Sequence, residues 1–348
     1  MQTLGVGLAP IIVKTVVSLR DLEGRTFATD ANNALHQFLS LIRLPDGTPL
    51  MDGEGHVTSH LVGLMFRTTH LMEAYGISQV FIFDGRPSPL KQGEIEKRRA
   101  QRQRSLREMK EAQERGDYAK AFSKAVRSGS LTKEMLDDAK RLLRLLGVPH
   151  FEAPGEAEAQ AAHMAARGHV WAADSRDFDS LLFGAPRLVR YMTISGREFL
   201  PSKGVARPLK PEIIELEDLL RHHGIVREQL VDLAILIGTD FNAGVKGIGP
   251  KGALKLLTTH GRLEDLPGEV RSKLPDDYRE VRAVFLQPSV TDDYPVEFKE
   301  PDEKALVEFL CEERGFSRER ICTVMDRVAR CYKRRLGGGL EKWMRPSG

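Results

Sequence analysis

Cysteine is scarce in this chain of 348 residues: Cys311, Cys322 and Cys331 occur in a helical-looking C-terminal stretch, and none has CxxC spacing. That excludes a disulfide framework and a cysteine zinc site, and it points to buried helix cysteines in a reducing cytosol. A long apolar run is also missing. The N-terminal stretch from Leu8 to Leu19 is broken by Lys14, has no basic residue ahead of it, and is too short to span a bilayer. No membrane segment and no secretion are expected, and the location implied is cytoplasmic. Strong net charge is absent too. With 52 basic and 49 acidic side chains the formal charge is only +3, so the distribution of charge must identify any partner. What the chain does have is 41% hydrophobic residues, enough for a sizeable core in two domains or one large α/β unit.

Short β-rich apolar runs recur between helical patterns at Thr26 to Thr29, Val80 to Phe83 and Val170 to Ala173, each ending in or just before an aspartate. This is the layout of a mainly parallel central sheet with helices on both faces, an α/β fold. Ligands of such sheets bind beyond the carboxyl ends of the strands, where Asp30, Asp84 and the loop from Asp174 to Asp179 fall. Any one of these aspartates could simply form a turn or cap a helix. From Lys91 to Arg107 the sequence KQGEIEKRRAQRQRSLR holds seven basic residues against Glu94 and Glu96, and a polar helical segment continues to about Arg127. A helix without an apolar stripe is a solvated projection or an interaction surface, and one-sided positive charge favours a polyanion. An amphipathic helix from Thr132 to Leu146 returns to the core, and Glu217 to Ile237 reads as two helices meeting near Gly224. The string GTDFNAGVKGIGPKGALKLL then sets Gly244, Gly247 and Gly249 in a tight turn before Lys251, the pattern of a helix-hairpin-helix turn that brings backbone amides to a phosphate. Beyond Asp292 the chain reads as helical to about Arg335, with Gly337 to Gly339 opening a short tail.

Glu156 and Glu158 open a helix after Pro154 and Gly155. Residues two apart on a helix diverge by about 200°, so the pair should not grip one ion together. Either each addresses a different part of a divided site, or Glu156 lies in the non-helical first turn; favourable interaction with the helix dipole is the plainer role. Asp177 and Asp179 repeat the spacing in a loop, with Phe178 free to pack inward. Convergence of so many carboxylates would be costly, because like charges raise one another's pKa, unless divalent cations remove the repulsion. Oxygen-only ligands suit Mg²⁺ or Mn²⁺, and Mg²⁺ retains several waters. Two ions about 4 Å apart could hold a scissile phosphate, generate hydroxide and stabilise the leaving oxygen.

The segments FATDANNALHQFL, VFIFDGRPSPLKQGEIEKR, APGEAEAQAA, DSRDFDSLLFG and GTDFNAGVKGIGPKGA, in this order and spacing, resemble the flap endonuclease family over nearly the whole chain. The short tail is similar to that of the archaeal branch. The resemblance implies a 5′-nuclease/PIN-like core and a magnesium-dependent, structure-specific endonuclease, with 5′-3′ exonuclease activity. Such an enzyme cuts 5′ flaps at replication and repair junctions, as in Okazaki fragment processing, and leaves 5′-phosphomonoesters and ligatable nicks. Motif by motif it places the metal-site carboxylates on Asp30, Asp84, Glu156, Glu158, Asp177, Asp179 and Asp240. It also implies that Lys91 and Arg98, at the base of a helical arch, contact the scissile phosphate, with Arg99, Arg102 and Arg104 on the DNA-facing arch. The arch would gate a single-stranded 5′ end. The turn around Gly247 would hold duplex backbone, with K⁺ on main-chain oxygens near Gly244, Val245 and Ile248. On this reading residues 1–335 form a single nuclease domain, monomeric. It comprises an N-terminal nuclease region 1–100, an arch at about 86–131, an internal region 132–262 whose turn element begins near 227, and a C-terminal helical region 263–335. A flexible tail covers 336–348.

Three positions depart from the family pattern. His36 stands where the family commonly carries a tyrosine able to stack on an unpaired base; imidazole stacks less well, and a packed helix residue is the alternative. MQTL precedes the Gly5-Val6-Gly7 that resembles the family's start, whose terminal glycine usually lies close to the active site. The tail residues Leu340, Trp343 and Met344 resemble a sliding-clamp-binding peptide, but Gly337 stands at its glutamine position and Met344 at its second aromatic, so clamp binding is expected to be weak. Rival readings are a related 5′-exonuclease or junction resolvase, and a catalytically silent DNA-binding or clamp-associated scaffold.

Overall fold

The computed structural model of the protein describes residues 6–44, 46–193, 196–200 and 205–343. Among these the strands are β1 (Thr15–Val16), β2 (Thr26–Asp30), β3 (Ser78–Phe83), β4 (His150–Glu152), β5 (Ala172–Asp174), β6 (Arg187–Arg190), β7 (Gly196–Leu200), β8 (Val205–Leu209) and β9 (Glu212–Glu215). The first ten α-helices are α1 (Ala31–Leu41), α2 (Ser59–Tyr75), α3 (Gln92–Glu114), α4 (Tyr118–Ser128), α5 (Lys133–Leu145), α6 (Ala157–Ala166), α7 (Asp179–Leu182), α8 (Leu216–His223), α9 (Arg227–Ile237) and α10 (Pro250–His260). Seven strands join one sheet in the order β1-β9-β6-β5-β2-β3-β4, in which β6, β5, β2, β3 and β4 run parallel. β9 and β1 complete that edge antiparallel, and β7 and β8 form a separate hairpin.

The central strand β3, SQVFIF, is buried at all six residues, as a parallel strand covered on both faces must be. Its alternation separates the two cores. Val80 and Ile82 pack with Ala28, Ala173 and Leu188 against the alanine-rich α6 and against α9, whereas Phe81 and Phe83 pack with α1, α2, α5 and the last helix. The mainly parallel sheet with helices on both faces, expected from the sequence, is the fold observed. The loops after β2, β3 and β5 therefore open at one edge of the sheet.

Four local expectations are corrected. The third strand lies at Ala172–Asp174, so Asp174 ends the strand and does not begin the loop. The basic helical segment is two antiparallel-packed helices, α3 and α4, broken at Gly116 and Asp117, where the Asp117 side chain caps α4 by accepting from Lys120 N at 3.1 Å. Residues 287–302 are not helical; Lys299 N donates to Gly147 O and Asp302 N to Leu145 O, so this segment runs as a strap along the molecule. Finally, the last helix spans Arg318–Trp343 and carries through Gly337 to Gly339. Leu340 and Trp343 fall on its backbone, and Met344 lies outside the described residues. No helix among the described residues is long and apolar enough to cross a membrane.

Candidate active site

Asp30 closes β2 and caps α1, its Oδ1 accepting from Asn33 N at 2.9 Å. A cap is the commonplace role for an aspartate in this position. Here the same side chain is also one of a crowd. Asp84 follows β3 and accepts from Asn32 Nδ2 at 2.8 Å and from Ala157 N, at the start of α6, at 2.9 Å. Gly85 makes that closeness possible: a Cβ there would stand 1.9 Å from Ala153 O. Glu156 is the residue before α6, with extended φ −76° and ψ 134°, while Glu158 lies inside the first turn. Glu156 therefore lies outside the helix, and the two carboxylates address different parts of the set: Glu156 faces Lys91, Asp84 and Asp240, whereas Glu158 faces Asp179, Asp30 and Asp177.

The loop after β5 is braced from several sides. Asn33 Nδ2 donates to Asp177 Oδ2 at 2.7 Å, and Val6 N donates to Asp179 Oδ1 at 3.0 Å. Ser175 Oγ donates to Glu158 Oε1 at 2.8 Å and accepts from Asp177 N at 3.2 Å. The buried Arg190 donates through Nε to Arg176 O at 2.7 Å and lies over the Phe178 ring at 4.0 Å. Phe178 is thus packed inward, as its position between two aspartates suggested.

The electrostatics show the convergence that sequence could not. Burial raises Asp30, Glu158, Asp177 and Asp179, and other members of the set add to it: Asp84 and Asp177 act on Asp30, Asp179 and Asp30 on Glu158, Asp240 on both Asp177 and Asp179. Burial also raises Glu156, against the pull of Lys91. Each of the seven acids is within electrostatic reach of at least two others. Two cations enter this field. Lys91 is paired with Glu156 and stands 3.8 Å from Asp240 Oδ2, with its ammonium 5.0 Å from the Phe241 ring centroid. Arg98 is paired with Asp240 and with Glu94. Burial alone would lower both, yet Glu156 and Asp240 hold Lys91, and Asp240 holds Arg98, above their ordinary values.

Among the described residues no three acidic, histidine or cysteine side chains close on one point tightly enough to wrap a bare ion. The donor set nonetheless fits divalent cations that keep part of their water: it is all oxygen, strongly anionic and held at an open sheet edge. Lys91 and Arg98 mark where it accepts positive charge.

His36 sits half-buried on α1 beside Arg102 and Arg98, and burial followed by those charges lowers it to about 4. It is a neutral imidazole facing the base of α3. Arg99 and Arg104 are exposed on α3, and Arg102 donates through Nη1 to Ser130 Oγ at 3.0 Å. Gly244 (φ 72°) and Gly247 (φ 90°) lie in the turn between α9 and α10, Gly249 caps α10, and Lys251 is exposed on its first turn. A Cβ on Gly244 would come within 2.5 Å of Gly238 N. Val245 N donates to Leu236 O, and Val245 O accepts from Ile248 N, so this turn is internally bonded. Sequence reading passed over Asn32, Asn33, Ser175 and the Val6 amide. The two asparagines were visible two and three residues after Asp30, but nothing in the sequence says that they reach carboxylates on other segments.

Models of the XPG N-terminal domain and the XPG I-region match residues 4–105 and 147–240. The chain is 48% identical to the flap endonuclease 1 of Hyperthermus butylicus over 98% of this chain and all of that protein, and 45% identical to that of Pyrococcus furiosus over 98% and 100%. It is similar to the solved flap endonuclease-1 of Methanococcus jannaschii, with TM-score 0.76 and 37% identity, covering 95% of this chain and 100% of that one.

Proposed function

The chain belongs to the flap endonuclease family, and from that premise we propose how its residues carry out structure-specific cleavage of 5′ flaps in DNA. The reading rests above all on one observation: seven carboxylates from five chain segments meet at the end of the parallel sheet, with Lys91 and Arg98 drawn in among them. Asp30, Asp84, Glu156, Glu158, Asp177, Asp179 and Asp240 would hold two Mg²⁺ ions, for which Mn²⁺ could substitute. When bound, these cations supply a hydroxide from coordinated water and neutralise charge on the leaving oxygen.

Lys91 and Arg98 belong to the base of the arch. Turned from Glu156 and Asp240 toward a phosphate, they stabilise the charge that develops on its oxygens, and the product carries a 5′-phosphate. The Phe241 ring under Lys91 offers the ammonium a second favourable site as it moves. The solvated face of α3, with Arg99, Arg102 and Arg104, guides the single-stranded 5′ end. His36, neutral beside it, is available to stack on an unpaired base. The turn at Gly244, Gly247, Gly249 and Lys251 takes the duplex backbone through amides at the start of α10, where the main-chain oxygens of Gly244, Val245 and Ile248 would hold a K⁺ ion. The enzyme works as a single nuclease domain over residues 1–335, as a monomer in the cytoplasm and at the nucleoid. Through Leu340, Trp343 and Met344 it makes at most a weak contact with a sliding clamp.

A panel of nicked, gapped, double-flap and four-way substrates of one sequence tests the specificity. The double flap should be cut fastest, close to the flap base; fastest cutting of the four-way junction would assign the chain to junction resolution instead.

A further inference from the structure

Thr29, Gln79 and Asp174 form a polar bridge across the neighbouring strands β3, β2 and β5, on the side of the sheet that α2 covers. All three are buried, with exposures of 1%, 1% and 3%. Gln79 Nε2 donates to Thr29 Oγ1 at 3.1 Å, and Thr29 Oγ1 donates to Asp174 Oδ2 at 3.0 Å. Because the amide occupies the acceptor side of the hydroxyl, the hydroxyl's single proton is committed to the carboxylate. Arg67 of α2 adds positive charge near Asp174 and donates through Nη2 to Met192 O at 2.6 Å.

Such a bridge is a poor way to hold a core together. Its surroundings are apolar, with Phe27, Ala172, Leu71 and Val189 packed on the same side, and burial pushes the Asp174 carboxyl up to about 7. A buried carboxylate costs more than an apolar residue of similar volume in that place. Its location accounts for it better than packing does. Thr29 and Asp174 are direct partners in the parallel pairing of β2 with β5. Thr29 immediately precedes Asp30, and Asp174 immediately precedes Ser175, whose hydroxyl holds both Glu158 and the Asp177 amide. Slippage or splaying of these two strand ends would displace Asp30 from Asp177 and Glu158.

We propose that the Gln79–Thr29–Asp174 bridge positions the carboxylates of the cation site, fixing the spacing of Asp30 against Glu158 and Asp177 so that divalent cations bind tightly. The three bond to one another and not to any of the seven acids, so they are positioning residues. The proposal rests on the reading of the seven acids as a cation site.

Binding of Mn²⁺ to the full chain without DNA, followed by the loss of the free-ion paramagnetic resonance signal, tests it. Thr29→Val and Asp174→Ala break the same bond from opposite ends, and each should weaken Mn²⁺ binding about tenfold, as is usual for groups that orient metal ligands. The double variant should be no weaker than the worse single one, and Thr29→Ser, which keeps the hydroxyl, should restore wild-type affinity. Thermal unfolding identifies folded variants, and one folded member of the pair suffices. Asp177→Asn serves as the control. If Asp177→Asn weakens binding while the bridge variants stay within twofold of wild type, or if the two losses simply multiply, the bridge proposal is overturned. If Asp177→Asn itself binds Mn²⁺ like wild type, the cation-site reading falls and the bridge proposal falls with it.

Discussion

At the scale of single residues, Lys91 and Arg98 are both held inside an acidic field that raises their affinity for protons, and on the proposed reading both exchange a carboxylate for a phosphate. Lys91→Ala or Arg98→Ala should therefore slow single-turnover cleavage roughly 100-fold or more, the usual cost of losing one charge-stabilising donor, while the dissociation constant for flap DNA changes only a few-fold. A loss confined to affinity would instead place the two with Arg99 and Arg104 on the guiding surface. His60 offers a separate test away from the site. It is fully buried on α2, and neither ring nitrogen has a hydrogen-bond partner among the described residues. Burial lowers it from 6.5 to about 4, with Arg314 acting in the same direction and Asp138 against it. A histidine kept neutral by the fold contributes stability that is complete above its unfolded pKa and is lost as the pH falls from 6.5 through 4. Wild type should thus lose roughly 2–3 kcal/mol between pH 7 and pH 4.5 through this group alone. His60→Leu should remove that part of the loss, as read from denaturant unfolding at the two pH values; equal losses in both proteins would contradict the assignment.

At the scale of elements, the turn between α9 and α10 depends on a backbone that only glycine adopts freely. Gly244 combines φ 72° with contact against Gly238, so Gly244→Ala faces both strain and a clash. The expected outcome is weaker binding of duplex-bearing substrates, about tenfold, read by fluorescence anisotropy with a labelled duplex; unchanged binding would contradict this role for the turn. Much of this level was legible in the sequence. The apolar runs that became β2 and β3, the helix pair meeting at Gly224, the amphipathic α5 and the glycine turn all follow from local pattern and cap chemistry. The failures have physical causes. Strand β5 is short and alanine-rich, so its limits depend on pairing with β2 and not on its own composition. The strap at 287–302 carries no regular pattern and is fixed by contacts with Gly147 and Leu145, far away in the chain. The break at Gly116 was concealed by the polar, stripe-free α3, while α4 beyond it is amphipathic and buries Ala121 and Ala125.

For the whole molecule, strand-end position and spacing singled out six of the seven acids and family likeness added Asp240, but local pattern explains each one equally well as a cap or a turn former. What joins them is tertiary: parallel pairing of β2 with β3 and β5, the close approach allowed at Gly85, and side-chain bonds from Asn32, Asn33 and Ser175. The bridge beneath them, from Gln79 to Asp174, was likewise invisible, because Thr29 and Asp174 lie 145 positions apart. The central claim is that this assembly is a divalent-cation site that drives cleavage at a flap base. Its most direct test is a 5′-labelled double-flap DNA incubated with wild type and with the Asp177→Asn, Asp179→Asn double variant, each with Mg²⁺ and with excess chelator, alongside binding to the same DNA. Wild type should cut near the flap base only with Mg²⁺, and the double variant should bind the DNA but leave it intact. Cleavage by wild type in chelator, or undiminished cleavage by the double variant, would contradict the account.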